Sequence, residues 1–516
     1  MISPLIVESP GRWRYVATFC LLGLCAVPAA PLLWESVTGV GDVAAVLTPA
    51  FRRGLLNSLL VAVIVFFVSV GVGLPLGALI SLYRVRASCL LLSVLALPLL
   101  LPSFLPAIGW SSLAVRLGAG VNEAINGMAG CVAVFCAVGI PLALLGTVAA
   151  CQSLTASQIE AARLSGGERA VFYRTVQYAL LPSIFAAALS AILSMSDPGP
   201  GQIFGMHTAS AEVLTTLSAQ YDFVLAGRQS VILALVVLVL LIPALWAATP
   251  RLAVGLLARQ TRRAESMSAP SGHPAAVALL LVSLVLVAFP LCGLLLPIAA
   301  GLETARALSE LSRTWMNTLV YAVVAGSLAT FIGLGFALCV GRHRFLLMMT
   351  LIWLAALFVL PPALGALGLL RIRGAAPASL NALLSTRLAV ATTLAMRFVP
   401  IAALLLIRAW GSTAPSWTHV AAVQGVRLST YLSRVTLPAL YPAIAVVAVL
   451  VALLAASDVV TVLLLHPPGE ASLPLAIFTI MANAPESLVA SLCLVQIIIA
   501  LTVLIVLGFL ARGVRR

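Results

Sequence analysis

Apolar runs of bilayer length alternate with short polar segments along nearly the whole chain. The longest include residues 55–83, 90–110, 129–150, 231–246, 276–296, 320–340, 345–370 and 488–510. Most reach the roughly 20 residues that a helix needs to cross hydrocarbon. None shows the in–out alternation of barrel strands, and lipid forces each segment to satisfy its own backbone groups, so the pattern predicts helices. Six spans are expected near 15–34, 55–81, 88–110, 128–150, 180–196 and 229–248. Six more are expected near 275–297, 317–340, 345–370, 387–409, 437–456 and 488–510. The stretch Thr249–His273, rich in Arg, Ser, Ala and Pro, reads as a linker with no domain of its own. The expected organisation is therefore a first half at 1–248, a linker at 249–274 and a second half at 275–516.

Polar marks recur in the same order in both halves. Asn57-Ser58 returns as Asn317-Thr318, Arg84 as Arg344, Gly166 as Gly425, and Ser196-Asp197 as Ser457-Asp458, at offsets of 259 to 261 residues. Six spans return a chain to its starting side, so two such halves share one orientation. They can then pair about an axis along the membrane normal and enclose a path. The expected fold class is all-α integral membrane: two tandem parallel six-helix bundles related by a pseudo-two-fold axis along that normal, with about 12 transmembrane helices.

Composition agrees. Hydrophobic residues make up 62% and charged residues 9% of the chain, with mean hydropathy +1.16, too much apolar surface for a soluble protein of this length. The net charge of +14 does not signal nucleic-acid binding, because its placement follows the membrane. Arg12/Arg14, Arg84/Arg86, Arg163/Arg169/Arg174, Arg251/Arg259/Arg262/Arg263 and Arg512/Arg515/Arg516 fall in one set of alternating loops. That bias predicts a multi-pass membrane protein with both termini cytoplasmic. The cysteines lie mostly inside apolar runs and form no CxxC pair, which reads as core packing rather than disulfides or a metal site.

Two loops on the Arg-rich side carry the most information. Residues 151–183 hold a short helix that Thr155 or Ser157 can cap, with Glu160 favouring its positive end, before Gly166-Gly167 interrupts it. Helix resumes over Glu168–Tyr178, and Pro182 is expected to open the next span. Residues 410–436 repeat the layout around Gly425, followed by a basic helix and Leu437-Pro438. Such a helix–glycine–helix knob fits a docking element, and also an amphipathic segment resting in headgroups.

These loops resemble the signature of the permease subunits of binding-protein-dependent ABC importers: Glu-Ala-Ala, three residues, Gly, then Leu-Pro thirteen residues on. Glu160, Ala161, Ala162 and Gly166 match the front of that pattern, and Gly425, Leu437 and Pro438 match the back. His419 stands where the second loop should have Glu, with Ala421 after it, and Ala179 stands where the first should have Leu. The resemblance spans nearly the whole chain and is greatest to double-length ferric-iron permeases, with thiamine, polyamine and phosphonate types nearby. It implies coupling helices docked on two copies of an ATP-binding subunit, an external or periplasmic solute-binding protein, and ATP and Mg held by those subunits, with no cofactor in this chain.

Asp197 and Asp458 close apolar runs at matching places, and Arg397 sits within one. The aspartates either cap the helices that follow or flank a path that favours a cation. Arg397 should face the bundle or snorkel. His207 and His466 also correspond, at an offset of 259, without neighbours to complete a metal site, so none is expected. The chain lacks a GxxxxGK[ST] phosphate cradle and a recognisable triad, so no catalysis is expected of it. The expected function is an importer permease, an ion-coupled secondary transporter being the reading from another class.

Overall fold

The computed structural model describes residues 12–38, 43–83, 88–152, 154–257, 272–301 and 303–515. Arg84, Arg86 and positions 258–271 of the expected linker lie outside them. The main helices of the first stretch are α1 (Arg12–Ala26), α2 (Ala30–Thr38), α3 (Pro49–Leu82), α4 (Ser88–Leu95), α5 (Phe104–Leu117), α6 (Met128–Cys151), α7 (Ala156–Met195), α8 (Gly199–Ile203), α9 (Ala209–Ser218) and α10 (Phe223–Leu257). The second stretch runs α11 (His273–Ser283), α12 (Phe289–Leu295), α13 (Thr304–Val340), α14 (Arg344–Val359), α15 (Pro362–Ala375), α16 (Arg387–Gly411), α17 (Pro415–Val423), α18 (Leu437–Ala456), α19 (Val460–Leu465), α20 (Leu473–Ile480) and α21 (Glu486–Arg515). Every regular element among the described residues is helical.

Nine helices among these residues are long and apolar enough to cross a membrane, or ten if the bent pair α14–α15 is one span. The protein is thus a multi-pass, all-helical integral membrane protein. The count differs from the twelve expected because several apolar runs do not fold as single rods. Pro28 lacks an N–H and crowds the preceding turn, so the first run breaks into α1 and α2. Pro98 and Pro102 divide the run at 88–110, and Pro361-Pro362 turns α15 by 85° from α14. The span expected at 180–196 is the end of α7, with Pro182 inside the helix rather than opening it. Positions 249–257, expected in the linker, extend α10.

Local chemistry sets several starts. Thr48 accepts a hydrogen bond from the Phe51 N–H at 3.2 Å ahead of Pro49, and Thr208 accepts from the Ala211 N–H at 3.3 Å. Small residues set the closest crossings. A Cβ on Gly73 of α3 would stand 2.7 Å from the Ala143 Cβ of α6, and one on Gly333 of α13 would stand 2.9 Å from the Ala402 carbonyl carbon of α16. Lipid gives helices no hydrophobic drive to associate, so such close backbone packing carries the contact.

The first helices of both stretches cross over. α1 packs on α13 and α14, placing Leu22 and Cys25 in a core with Ala329 and Phe336. Conversely, α12 packs on α5, which belongs to the first stretch. A Cβ on Gly109 of α5 would overlap the Pro290 carbonyl, and one on Gly368 of α15 would overlap the Pro28 carbonyl. Gly109 and Gly368 hold matching positions in the two halves, so one repeated glycine admits both crossing arms.

Candidate functional site

The repeated Asn-Ser/Thr pair holds the loop that follows each aspartate. Asn57 Nδ2 donates to the His207 carbonyl at 3.0 Å, and Ser58 Oγ accepts from the Ala209 N–H at 3.0 Å. In the second copy Asn317 Nδ2 donates to the Ala471 carbonyl at 3.2 Å, and Thr318 Oγ1 accepts from the Leu473 N–H at 2.8 Å. Backbone donors and acceptors at the starts of α9 and α20 are thereby satisfied inside the bundle. The same bonds correct one sequence reading: the partner of His207 in the second copy is Ala471, not His466. The interval from Asp458 to Leu473 is longer than that from Asp197 to Ala209, so the matching histidine offsets were a coincidence of spacing.

The loops carry Asp197 and Asp458 to a common cavity of about 240 Å³, where Arg397 joins them. Leu101, Ser103, Phe104, Leu360 and Phe478 contribute to its wall. Asp458, whose side chain is only 5% exposed, forms an ion pair with Arg397 and accepts from the Thr461 N–H at 2.8 Å. Arg397 also donates to Thr461 Oγ1 at 3.4 Å and lies 5.5 Å from the centroid of the Phe398 ring. The cost of a guanidinium on a membrane helix is thus offset by a named carboxylate in the bundle.

Asp197 has different company. Its carboxylate accepts from the Gly199 N–H at 2.9 Å and from the Ser103 hydroxyl, and it also feels the charges of Arg397 and Asp458. Both aspartates therefore satisfy a following backbone N–H, as the capping reading expects, and both also line the cavity. Only the Asp458 side has its own cation: Pro400 aligns with Pro141 at offset 259, which puts Val138 where α16 has Arg397. The serines differ as well. Ser457 Oγ donates to the Leu100 carbonyl at 2.8 Å, whereas the buried Ser196 hydroxyl has no partner among the described residues. The cavity thus holds two aspartate side chains and one guanidinium, and the guanidinium is paired with Asp458. Among the described residues, no group of three or more His, Cys, Asp or Glu side chains gathers to hold a metal ion.

The two interrupted loops form knobs. Thr155 caps α7 with a reciprocal box: its Oγ1 accepts from the Gln158 N–H at 3.4 Å, and Gln158 Oε1 accepts from the Thr155 N–H at 3.1 Å. The helix starts at Ala156, so Glu160 lies beyond the first turn, where its effect on the helix dipole is small. The break within α7 falls at Gly166-Gly167, and it is Gly167 that takes the left-handed backbone, with φ 66°. An Arg163–Glu168 ion pair of 2.6 Å spans the break. In the second knob α17 ends before Gly425, with φ 64°. A π-helical turn, Leu432–Thr436, then joins directly to Leu437-Pro438 and α18.

Glu160 and Ala161 are exposed and Ala162 is half-buried, and His419 is exposed on α17. Ala421 is covered instead, 7% exposed and packed with Tyr431. The residues that project are Leu164, 90% exposed, and Val423, 88% exposed. Each stands two positions before the glycine of its own knob, so the pair is matched between the halves. Sequence reasoning overlooked this pair, although a large apolar residue beside a glycine in a polar loop was a visible signal. It also named no partner for Arg397, whose mate Asp458 lies beyond the second knob and the whole of α18.

Neither protein-family models, curated proteins nor solved structures yield a match to this chain.

Proposed function

We propose that this chain is the membrane permease of an ATP-driven importer, passing a small solute between two pseudo-two-fold-related halves. The observation that carries the reading is the pair of glycine-broken knobs, each presenting its most exposed apolar residue, Leu164 or Val423, at the same place. A solvated apolar side chain at a loop tip gains about 1.5–3 kcal/mol when a partner buries it. Two matched tips call for two copies of one partner, and an ATP-binding subunit docked at each is the partner we assign. Glu160, Ala161, Ala162 and His419 would flank those contacts. Gly166, Gly425, Leu437 and Pro438 would shape the knobs, and Ala421 would brace the second from within.

In this reading the knob end is cytoplasmic, as are both termini, and the membrane is a bacterial inner membrane. ATP and Mg belong to the docked subunits, and a binding protein delivers cargo from the other side. Nucleotide-driven closure would bring the knobs together and open the cavity opposite them. We assign a cationic cargo to the cavity, because Asp458 already has Arg397 while Asp197 forms no ion pair among the described residues and can meet a cation that enters. We assign ferric iron as that cargo. Thiamine and polyamines satisfy the same charge argument, whereas a phosphonate does not. An ion-coupled secondary transporter would also tolerate buried carboxylates, but it gives the matched knobs no role.

The test is cross-linking. Cysteines placed at Leu164 and Val423 should each couple to a co-expressed ATP-binding subunit, at two subunits per chain. Labelling of both positions by an impermeant reagent from the outside of intact cells, without cross-links, would reject the assignment.

A further inference from the structure

Two lateral cavities of related construction differ sharply in charge. One, of about 360 Å³, is lined by Ile108, Ser111, Ser112 and Val115 of α5 together with residues at the start of α21. The other, of about 650 Å³, is lined by Leu367, Leu370, Arg371 and Gly374 of α15 together with the start of α10. The α15 residues follow the α5 residues at an offset of 259 throughout, so the two cavities are counterparts. Arg371 replaces Ser112. Arg228 of α10 has no basic counterpart among the residues of α21 that line the smaller cavity, which are Glu486, Val489 and Ala490, and Glu35 stands where the arm leading from α12 has Pro297.

Arg228 is placed for lipid. On α10, Val224, Leu235, Val239, Ile242 and Trp246 are all exposed, and their spacing with Arg228 forms one helical stripe. An exposed apolar stripe on a membrane helix faces acyl chains, and Arg228 continues it at the helix end. Glu35 pairs with Arg371 at 2.5 Å, while Arg228 forms no ion pair among the described residues. A guanidinium on a lipid-facing stripe is costly unless it reaches an anion at the interface. Around it the cavity wall is apolar, with Leu32, Phe223, Val224 and Leu367. The exposed Trp34 and Tyr221 stand near it in sequence, as amphipathic rings do at headgroup level.

We propose that this cavity seats one anionic phospholipid, its phosphodiester on Arg228 and Arg371 and part of an acyl chain against the apolar wall. The seat is one-sided: among the described residues its counterpart has no arginine in its wall, with Ser112 in place of Arg371 and the carboxylate of Glu486 at the start of α21. This inference needs only a membrane-embedded chain and stands apart from the importer assignment.

The test uses the full-length protein purified from vesicles of phosphatidylcholine with a minor fraction of phosphatidylglycerol, with retained lipid counted by native mass spectrometry during detergent washing. Wild-type protein should keep one phosphatidylglycerol after phosphatidylcholine is gone. Arg228→Gln and Arg371→Gln should each lower that retention about fivefold, and Arg228→Lys should preserve most of it. Ser112→Ala, in the counterpart cavity, should change nothing, and free inorganic phosphate should not displace the lipid. Undiminished phosphatidylglycerol in monodisperse Arg228→Gln, equal retention of phosphatidylcholine, or displacement by inorganic phosphate would each overturn the proposal.

Discussion

Replacing Arg397 with methionine keeps an unbranched side chain of similar reach but removes the cation that faces Asp458. The carboxylate that remains is 5% exposed and keeps only the Thr461 N–H at 2.8 Å. Stripping one member from a buried pair typically costs about 3–5 kcal/mol, because the survivor is left without compensation. Here Arg397 is 27% exposed toward a cavity, so water relieves part of the penalty and the expected loss is about 3 kcal/mol. Asp458→Asn leaves the guanidinium facing a neutral amide that still offers an acceptor, and the expected loss is about 2 kcal/mol. The double variant removes both charges, so it should lie within about 1 kcal/mol of the starting protein. These values imply a coupling of about 4 kcal/mol between the sites. The assay is reversible unfolding in mixed micelles, supported by the thermal midpoint of monodisperse protein. Additive losses, with coupling below about 0.5 kcal/mol, would show that the ion pair does not hold the cavity together.

Further outcomes follow from other contacts. Asp197→Asn keeps the acceptors for Gly199 and Ser103, so stability should fall by no more than about 1 kcal/mol, while uptake of a cationic cargo by reconstituted protein should drop; unchanged uptake would leave Asp197 as a helix cap only. Asn317→Ala should lower the thermal midpoint more than Asn57→Ala, because Asn317 is buried beside Tyr321, whose hydroxyl also donates to the Glu470 carbonyl at 2.8 Å. Gly73→Ala and Gly333→Ala should each cost about 1–3 kcal/mol by forcing α3 from α6 and α13 from α16, as measured by unfolding in micelles. Leu164→Asp and Val423→Asp should each weaken association with the ATP-binding subunit about tenfold without altering the thermal midpoint of the isolated chain, as read by titration of the purified components.

Features governed by local chemistry were legible from sequence. Thr155 was named as a cap, and the break at Gly166-Gly167 follows from two adjacent residues free of Cβ constraints. The repeated Asn57-Ser58 and Asn317-Thr318 pairs were visible as marks, but their task was not: each reaches the backbone of a segment several helices further along, which no local pattern encodes. For the aspartates the sequence left a cap and a place beside a path open; the structure gives each a following backbone N–H and sets both on one cavity. Nine or ten of the twelve expected spans are long apolar helices among the described residues, because hydropathy registers length and apolarity, whereas Pro28, Pro102 and Pro361-Pro362 decide whether an apolar run stays straight. The crossing arms depend on Gly109 and Gly368 meeting the carbonyls of Pro290 and Pro28, a close approach between distant segments. Ala421 reads from sequence as part of the docking loop, but the turn at Gly425 folds it beneath Tyr431, leaving Val423 outermost.

The most direct measurement of the central claim is uptake by liposomes that contain this chain, two copies of the ATP-binding subunit and the external binding protein loaded with ferric iron. The chain should be oriented with its knobs toward the nucleotide. Accumulation should require hydrolysable ATP on the knob side, vanish with Leu164→Asp, and persist when proton and sodium gradients are collapsed. Uptake that follows an ion gradient and ignores ATP would contradict the account and identify a gradient-driven carrier.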